Sequence, residues 1–233
     1  MHRLNTLKNR HLGESCVLIA NGPSLNKMDL SFLNKQTTIG LNKIFTGLSR
    51  FNFYPKYWVG VNRKVIEQSH EEIKKLNCVK LISQHNSQDL IQEDALTYYL
   101  NTLSPQHRFC KDLTQGLHEG WTVTYAALQV AYFLGFHKVI IIGMDHHFDY
   151  SGNPNEARII EGNDPNHFSP DYFSHGQQWD NPDLENSEAS YLIARDIFEE
   201  DGRQIIDATL KGHCTIFEKQ DYRDIFSAAC AHH

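Results

Sequence analysis

The chain has 233 residues, of which 40% are hydrophobic, and a formal net charge of −6. This length allows one large domain or two small ones, and we expect a single α/β nucleotide-binding domain over residues 1–233. The negative charge and the lack of a dense Lys/Arg cluster argue against a nucleic-acid partner. Five scattered cysteines without a CxxC pattern argue against a disulfide framework or a zinc site and favour a reducing, cytoplasmic compartment.

Membrane insertion is not expected from the hydropathy of the chain. Its longest apolar runs, such as Val139–Gly143, are far shorter than the roughly 20 residues that cross a bilayer. The basic N-terminus is not followed by an apolar segment, so we predict no signal peptide. Peripheral association with the inner face of the membrane is left open, although no basic amphipathic helix favours it. The oligomeric state is not determined by the sequence.

Short apolar runs and breaker residues predict the elements of the first half of the chain. These are a strand over 15–20, a helical turn over 29–33, strands over 37–41 and 57–61, a helix over 64–76 and a strand over 79–82. Residues 84–118 have no pattern that assigns them. The first strand ends at the breaker cluster Asn21-Gly22-Pro23-Ser24.

The second half contains the strongest signals. In chain order it predicts a buried helix over 122–136 that ends near Gly135, a strand over 138–145, a polar segment over 146–185, a helix over 187–200, a strand over 204–207 and a turn over 222–226. A forty-residue segment without periodicity is typical of a lid or a binding loop. Strands that alternate with helices predict an α/β, Rossmann-like fold with a mostly parallel sheet, helices on both faces and a long lid loop.

Several strands end in residues suited to ligand binding. In open α/β sheets the ligand lies beyond the carboxyl ends of the strands, and carboxamides offer both donors and acceptors there. We therefore predict that the nucleotide contacts Asn21, Gly22, Pro23, Ser24, Asn42, Asn62, Gly143 and Asp145. The alternative is that Asn and Gly are common in turns.

Two threonines mark the start of the buried helix. Thr122 and Thr124 follow Gly120, and the first amides of a helix bind anions. We predict that both contact the nucleotide, while an ordinary helix N-cap accounts equally well for either one alone.

The polar segment holds the candidate catalytic groups. Histidine is a general base near neutral pH, and tyrosine donates to a leaving phosphate. The candidates are His147, His167, His175, Tyr150 and Tyr172. Adjacent histidines on extended backbone point to opposite sides and no HExxH pattern occurs, so we predict no metal site. Solvent-exposed loop residues remain the alternative for His167 and His175.

Four segments carry a resemblance to a known family. They are VLIANGPSL at 17–25, GLNKIF at 40–45, ALQVAYFLGF at 127–136 and VIIIGMD at 139–145. With HFSPDYF at 167–173 and the stretch 207–226, this pattern resembles the DUF115 group. That group includes 6-hydroxymethylpterin diphosphokinases and the central domain of motility accessory factors, and is similar to the bacterial family 42 sialyltransferases.

The resemblance implies transfer chemistry on an activated nucleotide. It implies that Asn21, Asn42 and Asn62 contact a CMP-sugar, with Thr122 and Thr124 near the donor. It also implies a loop histidine as base, with His175 the first candidate and His167 the second. The two tyrosines that stabilise the leaving phosphate in the sialyltransferases correspond here to His147 and to Tyr150 or Tyr172.

The first functional hypothesis is an inverting glycosyltransferase of bacterial cell-surface glycan biosynthesis. It transfers a nonulosonic acid such as sialic acid from CMP to a glycan or protein acceptor and requires no cofactor. The second is pyrophosphate transfer from ATP to a hydroxymethylpterin, which needs Mg²⁺. Asp145 and Asp149 are the carboxylates available for that ion. The third is a non-catalytic nucleotide-binding module.

Overall fold

The computed structural model describes residues 3–170, 172–173 and 176–227. The strands are β1 (Ser15–Ile19), β2 (Thr38–Leu41), β3 (Tyr57–Gly60), β4 (Val79–Ser83), β5 (Thr97–Leu100), β6 (Thr102–Leu103), β7 (Leu117–His118), β8 (Lys138–Ile142), β9 (Ala157–Ile159), β10 (Gln178–Asp180), β11 (Gln204–Asp207) and β12 (Glu218–Lys219). The helices are α1 (Leu48–Phe51), α2 (Arg63–Lys74), α3 (Gln84–Ser87), α4 (Val123–Leu134), α5 (Leu184–Glu200) and α6 (Tyr222–Ser227). Short 3-10 helices cover Arg3–Thr6, Pro23–Lys27, Ser31–Lys35 and Asn42–Gly47.

A parallel sheet of eight strands forms the centre of the fold, in the order β12-β11-β8-β1-β2-β3-β4-β5. The chain proceeds outward from β1 to β5 on one side and places β8, β11 and β12 on the other. The strand order therefore reverses between β1 and β8, and this is the point where open α/β sheets bind ligands. The predicted Rossmann-like fold is confirmed.

The two faces of the sheet follow from the alternation of side chains along each strand. In β1, Cys16 and Leu18 join the core that also contains α4 and α5, whereas Val17 and Ile19 join the core that contains α2 and α6. All four side chains are buried, so β1 is apolar throughout, as expected for a central parallel strand with helices on both faces.

Helix α4 is the most deeply buried helix, since every residue from Thr124 to Leu134 is buried. Thr122 caps its N-terminus and accepts a hydrogen bond from the amide of Thr124. Gly135 ends it in the left-handed conformation with φ of 94°, which glycine adopts without strain. The predicted buried helix and its C-cap agree with these boundaries.

Two segments contain structure that the sequence pattern did not predict. The unassigned stretch 84–118 includes β5, which pairs with β4 at the edge of the sheet. The polar segment 146–185 contains an antiparallel hairpin of β9 and β10 and three buried aromatic rings, Phe168, Tyr172 and Phe173. The expectation of a segment without regular structure was wrong, because strands this short have too few residues to show a period. None of the described helices has the length and apolar character needed to cross a membrane.

Candidate functional site

A cavity of about 450 Å³ lies where the strand order reverses. The loops after β1, β2, β3 and β8 form its floor, and the first turns of α4 and α5 form one wall. The segment after β8 forms the opposite wall. The predicted site residues that line it are Asn21, Gly22, Asn42, Asn62, Thr122, Thr124, Gly143, Asp145, His147, His167 and Tyr172. The cavity therefore brings together residues that lie up to 151 positions apart in the sequence, from Asn21 to Tyr172.

The asparagines at the strand ends are not equivalent. Asn62 caps α2, because its side-chain oxygen accepts a hydrogen bond from the amide of Val65 at 3.0 Å. Asn21 donates to the carbonyl of Leu41 at 3.1 Å, but its side-chain oxygen has no partner within the described part of the chain. The side-chain oxygen of Asn42 is also buried and unpaired among the described residues. A buried acceptor without a donor is costly, and both oxygens are enclosed by protein atoms rather than exposed to the cavity.

Asp145 joins the loop after β8 to the loop after β1. Its two oxygens accept hydrogen bonds from the amide and the hydroxyl of Ser24, at 3.0 and 2.6 Å. A β-carbon on Gly22 would lie 1.9 Å from Asp145 Oδ2, so only glycine allows this contact. Burial raises the pKa of the Asp145 carboxyl, and the hydrogen bonds from Ser24 oppose that shift. Asp145 therefore shapes the cavity floor, and Ser24 uses two of its roughly four acceptor sites.

His167 forms a pair with a buried carboxylate. Its Nδ1 lies 2.7 Å from Oδ2 of Asp164, whose side chain is 2% exposed. The ring stacks on Tyr172, with centroids 3.8 Å apart and planes 1° from parallel. An imidazole with Nδ1 bound to a carboxylate has a fixed tautomer and presents Nε2 as the base. His167 also lines the cavity, so the pair lies at the cavity wall.

A buried lysine holds the segment that carries Tyr172. Lys43 is 3% exposed, and its Nζ donates to the carbonyl of Tyr172 at 2.7 Å and to Gln177 Oε1 at 2.8 Å. Its amide also donates to the hydroxyl of Tyr172 at 3.3 Å. Burial lowers the pKa of Lys43 to about 8, although Glu72 and Asp164 favour its charge. Lys43 thus anchors the wall of the cavity to the end of β2.

The wall formed by α4 is polar. Thr122 caps the helix and its hydroxyl lies 3.3 Å from the hydroxyl of Tyr191. Glu119 lies just before the helix, and burial raises the pKa of its carboxyl. The first turn of α4 opens into the cavity at Thr122 and Thr124, where helix amides favour an anion.

Two more histidines lie on the far side of the cavity. His146, at φ of 54°, contacts Glu188 through Nε2 at 2.9 Å. His147 stacks on His213 with centroids 4.9 Å apart. The described residues that line the cavity include these histidines and three carboxylates, Glu119, Asp145 and Asp180, but neither lysine nor arginine.

The remaining predicted residues lie elsewhere. Pro23 and Ser24 are not among the residues that line the cavity, and the donors of Ser24 are used by Asp145. Tyr150 also lies outside the lining, with its hydroxyl 3.4 Å from the carbonyl of Pro182. His175, the first candidate for the base, lies outside the described residues.

Sequence reasoning missed several residues of the site. They are Asp164, Glu119, Trp121, Asn166, Asn181 and Tyr191. The spacing of Asp164 and His167, three residues apart, was the available signal, since a turn brings such side chains together. The other five are spread over separate segments, and the sequence has no local pattern that groups them.

Fold and cavity together define a Rossmann-like α/β protein with a cavity at the reversal of its strand order. The chain belongs to the MptE-like family: the model described as "6-hydroxymethylpterin diphosphokinase MptE-like" matches residues 1–151. The matched region includes the loops after β1, β2, β3 and β8. It ends before Asp164 and His167. No curated protein sequence matches the chain.

The solved structures include one with a similar fold, the MAf glycosyltransferase from Magnetospirillum magneticum AMB-1. The TM-score is 0.57 at 14% sequence identity, and the match covers 92% of this chain and 35% of that one. This chain therefore spans about a third of the length of that protein. At this identity the likeness supports the fold.

The family description raises the question of Mg²⁺, which ATP-dependent pyrophosphate transfer needs and which carboxylates bind. Both oxygens of Asp145 accept from Ser24, and Asp180 is paired with Lys64 at 2.5 Å. Within the described part of the chain, no three His, Cys, Asp or Glu side chains are grouped to hold a metal ion. The described residues therefore form no preformed cluster for the ion, and an Mg²⁺ shared with the phosphates of ATP would have to use Glu119, Asp145 or Asp180, the carboxylates that line the cavity.

Proposed function

We propose that this protein is a glycosyltransferase that transfers a sugar from a CMP-activated donor to a hydroxyl of a glycan or protein acceptor. The observation that carries the proposal is the Asp164–His167 pair, 2.7 Å apart, on the wall of the cavity. A histidine oriented by a buried carboxylate is suited to remove a proton from a hydroxyl group. The donor sugar we favour is a nonulosonic acid such as sialic acid.

The chemistry of the cavity supports a donor with one phosphate. Asn21, Asn42 and Asn62 line the cavity, and carboxamides offer donors and acceptors to the hydroxyl groups of a ribose or a sugar. The first turn of α4 matches a single phosphodiester. A triphosphate carries far more charge, and the described lining provides neither lysine nor arginine to neutralise it. This contrast favours a CMP-sugar over ATP.

The proposed reaction is a direct displacement. Nε2 of His167 takes the proton of the acceptor hydroxyl as its oxygen bonds to the anomeric carbon. The bond from that carbon to the phosphate oxygen breaks, and its electron pair leaves with CMP. Attack opposite the leaving group inverts the anomeric configuration. Asp164 stabilises the imidazolium that forms, and the first turn of α4, with His146 and His147, stabilises the leaving phosphate.

A thermal-shift titration with CMP, CDP, UDP, GDP and ATP, each with and without Mg²⁺, tests the donor. A ligand at 100 times its dissociation constant stabilises the fold by about 2.7 kcal/mol. We expect stabilisation by CMP that does not depend on metal. Stabilisation by ATP with Mg²⁺ alone would favour pyrophosphate transfer. No shift with any nucleotide would contradict nucleotide binding altogether.

The identity of the base is tested by comparing two histidines. His167→Ala and His175→Ala are each assayed for release of CMP from CMP-sialic acid in the presence of acceptor glycans. The exposed His85 provides a control in the variant His85→Ala. We expect the loss of turnover to follow His167, and a loss confined to His175→Ala would assign the base to the other candidate.

A further inference from the structure

A second, smaller pocket of about 80 Å³ lies beside the main cavity. His167, Asn42, Asn62, Tyr172, Trp179 and Asp180 line both spaces, whereas Lys64, Val65, Phe173 and Gln178 line the small pocket alone. The candidate base therefore lies between a large cavity and a small one. A transfer reaction needs this arrangement, because its base must contact the acceptor while the donor occupies separate space.

The walls of the small pocket are held by α2 and β10. The side chain of Gln68 donates to the carbonyl of Gln178 at 3.0 Å and accepts from its amide at 2.9 Å. The ion pair of Lys64 and Asp180 spans the same two elements at 2.5 Å. These contacts fix β10 against α2, so the pocket between them is formed without a ligand.

Trp179 provides the apolar surface of this site. Its ring lies among Phe148, Tyr150, His167 and Phe173, with centroids 6.3 to 6.4 Å apart, and remains partly exposed. An aromatic ring next to a charged pair suits a ligand with one apolar face and several hydroxyl groups. A volume of about 80 Å³ holds several heavy atoms, since one water needs only about 10–15 Å³.

We propose that the small pocket binds the acceptor, and that it takes the hydroxyl-bearing edge of a neutral sugar ring. The C–H face of that ring stacks on Trp179, while its hydroxyl groups bind Asp180 and Lys64. The hydroxyl to be glycosylated then points at His167. The assignment rests on the proposed function, because it is the transfer reaction that requires a separate acceptor site.

Saturation-transfer NMR tests the pocket without relying on catalysis. The probes are the methyl glycosides of galactose, glucose and N-acetylglucosamine, each with and without CMP. The variants are Trp179→Ala, Trp179→Phe and Asp180→Asn. His85→Ala is the control, since the exposed His85 lines neither the main cavity nor the small pocket. Thermal melting of each variant shows whether it is folded.

We expect at least one glycoside to receive saturation, and its signal to fall about tenfold in Trp179→Ala, as loss of a stacking contact predicts. Trp179→Phe keeps an aromatic face and retains most of the signal, Asp180→Asn weakens it, and His85→Ala leaves it within about twofold. Equal signals in Trp179→Ala and wild type, or no saturation of any glycoside, would overturn the assignment. If the glycoside binds at Trp179 but CMP does not bind, the donor proposal fails and the sugar site stands.

Discussion

The carboxylate of Asp145 occupies the space that a side chain on Gly22 would need, with Oδ2 only 1.9 Å from the ideal β-carbon position. These residues follow β1 and β8, the two strands between which the sheet order reverses. Ser24 binds the same carboxylate through its amide and its hydroxyl. A single contact thus determines how two strand-end loops meet at the floor of the cavity.

We expect Gly22→Ala to damage both stability and ligand binding. The added methyl group must displace Asp145 and break its hydrogen bonds to Ser24, and overpacking of this kind costs about 1–3 kcal/mol. Urea unfolding measures the stability, and CMP titration measures the binding. Gly162→Ala is the control, because a β-carbon there meets nothing within 4 Å. A Gly22→Ala variant as stable as the control would contradict the packing described here.

Asn42→Gly separates ligand binding from folding. Asn42 has a φ of 44°, a conformation that glycine adopts easily, so the substitution keeps the backbone and removes the unpaired side-chain oxygen. We expect the free energy of unfolding to change by less than about 1 kcal/mol and the CMP-sugar affinity to fall about tenfold, or about 1.4 kcal/mol.

The matched control for that prediction is Asn52→Gly. Asn52 has a φ of 49°, ends α1 and does not line the cavity. We expect this variant to retain full affinity in calorimetric titrations. An equal loss of affinity in both variants would contradict the prediction, because the loss could not then be assigned to a ligand contact of the Asn42 side chain.

Removal of the proposed base is expected to abolish turnover while sparing donor binding. His167→Ala should lower kcat by about 10²- to 10⁴-fold, the usual contribution of general base catalysis. Asp164→Asn should cause a smaller loss, because the imidazole remains but its partner is neutral. In the double variant the two losses should not add, since both act through one proton transfer. Additive losses in steady-state kinetics would separate Asp164 from the function of His167.

The buried Lys43 predicts a dependence of stability on pH. Its pKa is about 8 in the folded protein against 10.5 for the free side chain. Between these values the unfolded chain binds more protons, so the free energy of unfolding rises with pH. We expect wild type to gain about 3 kcal/mol relative to Lys43→Met between pH 8 and 10.5. Urea unfolding at several pH values measures the difference, and a constant difference would contradict a lowered pKa at Lys43.

Local sequence patterns were sufficient to predict the centre of this fold. The apolar runs of β1 and β8 and the mostly apolar helix α4 are buried over nearly their whole length, so their composition alone marks them. The sequence also predicted correctly that the asparagines at the strand ends lie close together. Parallel strands end at one edge of the sheet, and a residue that directly follows such a strand must lie there.

The tertiary structure decided how these groups are paired. Asp145 has a prominent position in the sequence, but its contacts with Gly22 and Ser24 span more than 120 residues and show it to be part of the framework. The segment 146–185 lacked any period because its strands are short and its buried rings are few. Its key contact, Asp164 with His167, forms because buried Tyr172 and Lys43 fix the position of the segment. Periodicity reports local burial, whereas pairing between distant polar side chains depends on long-range packing that no local pattern contains.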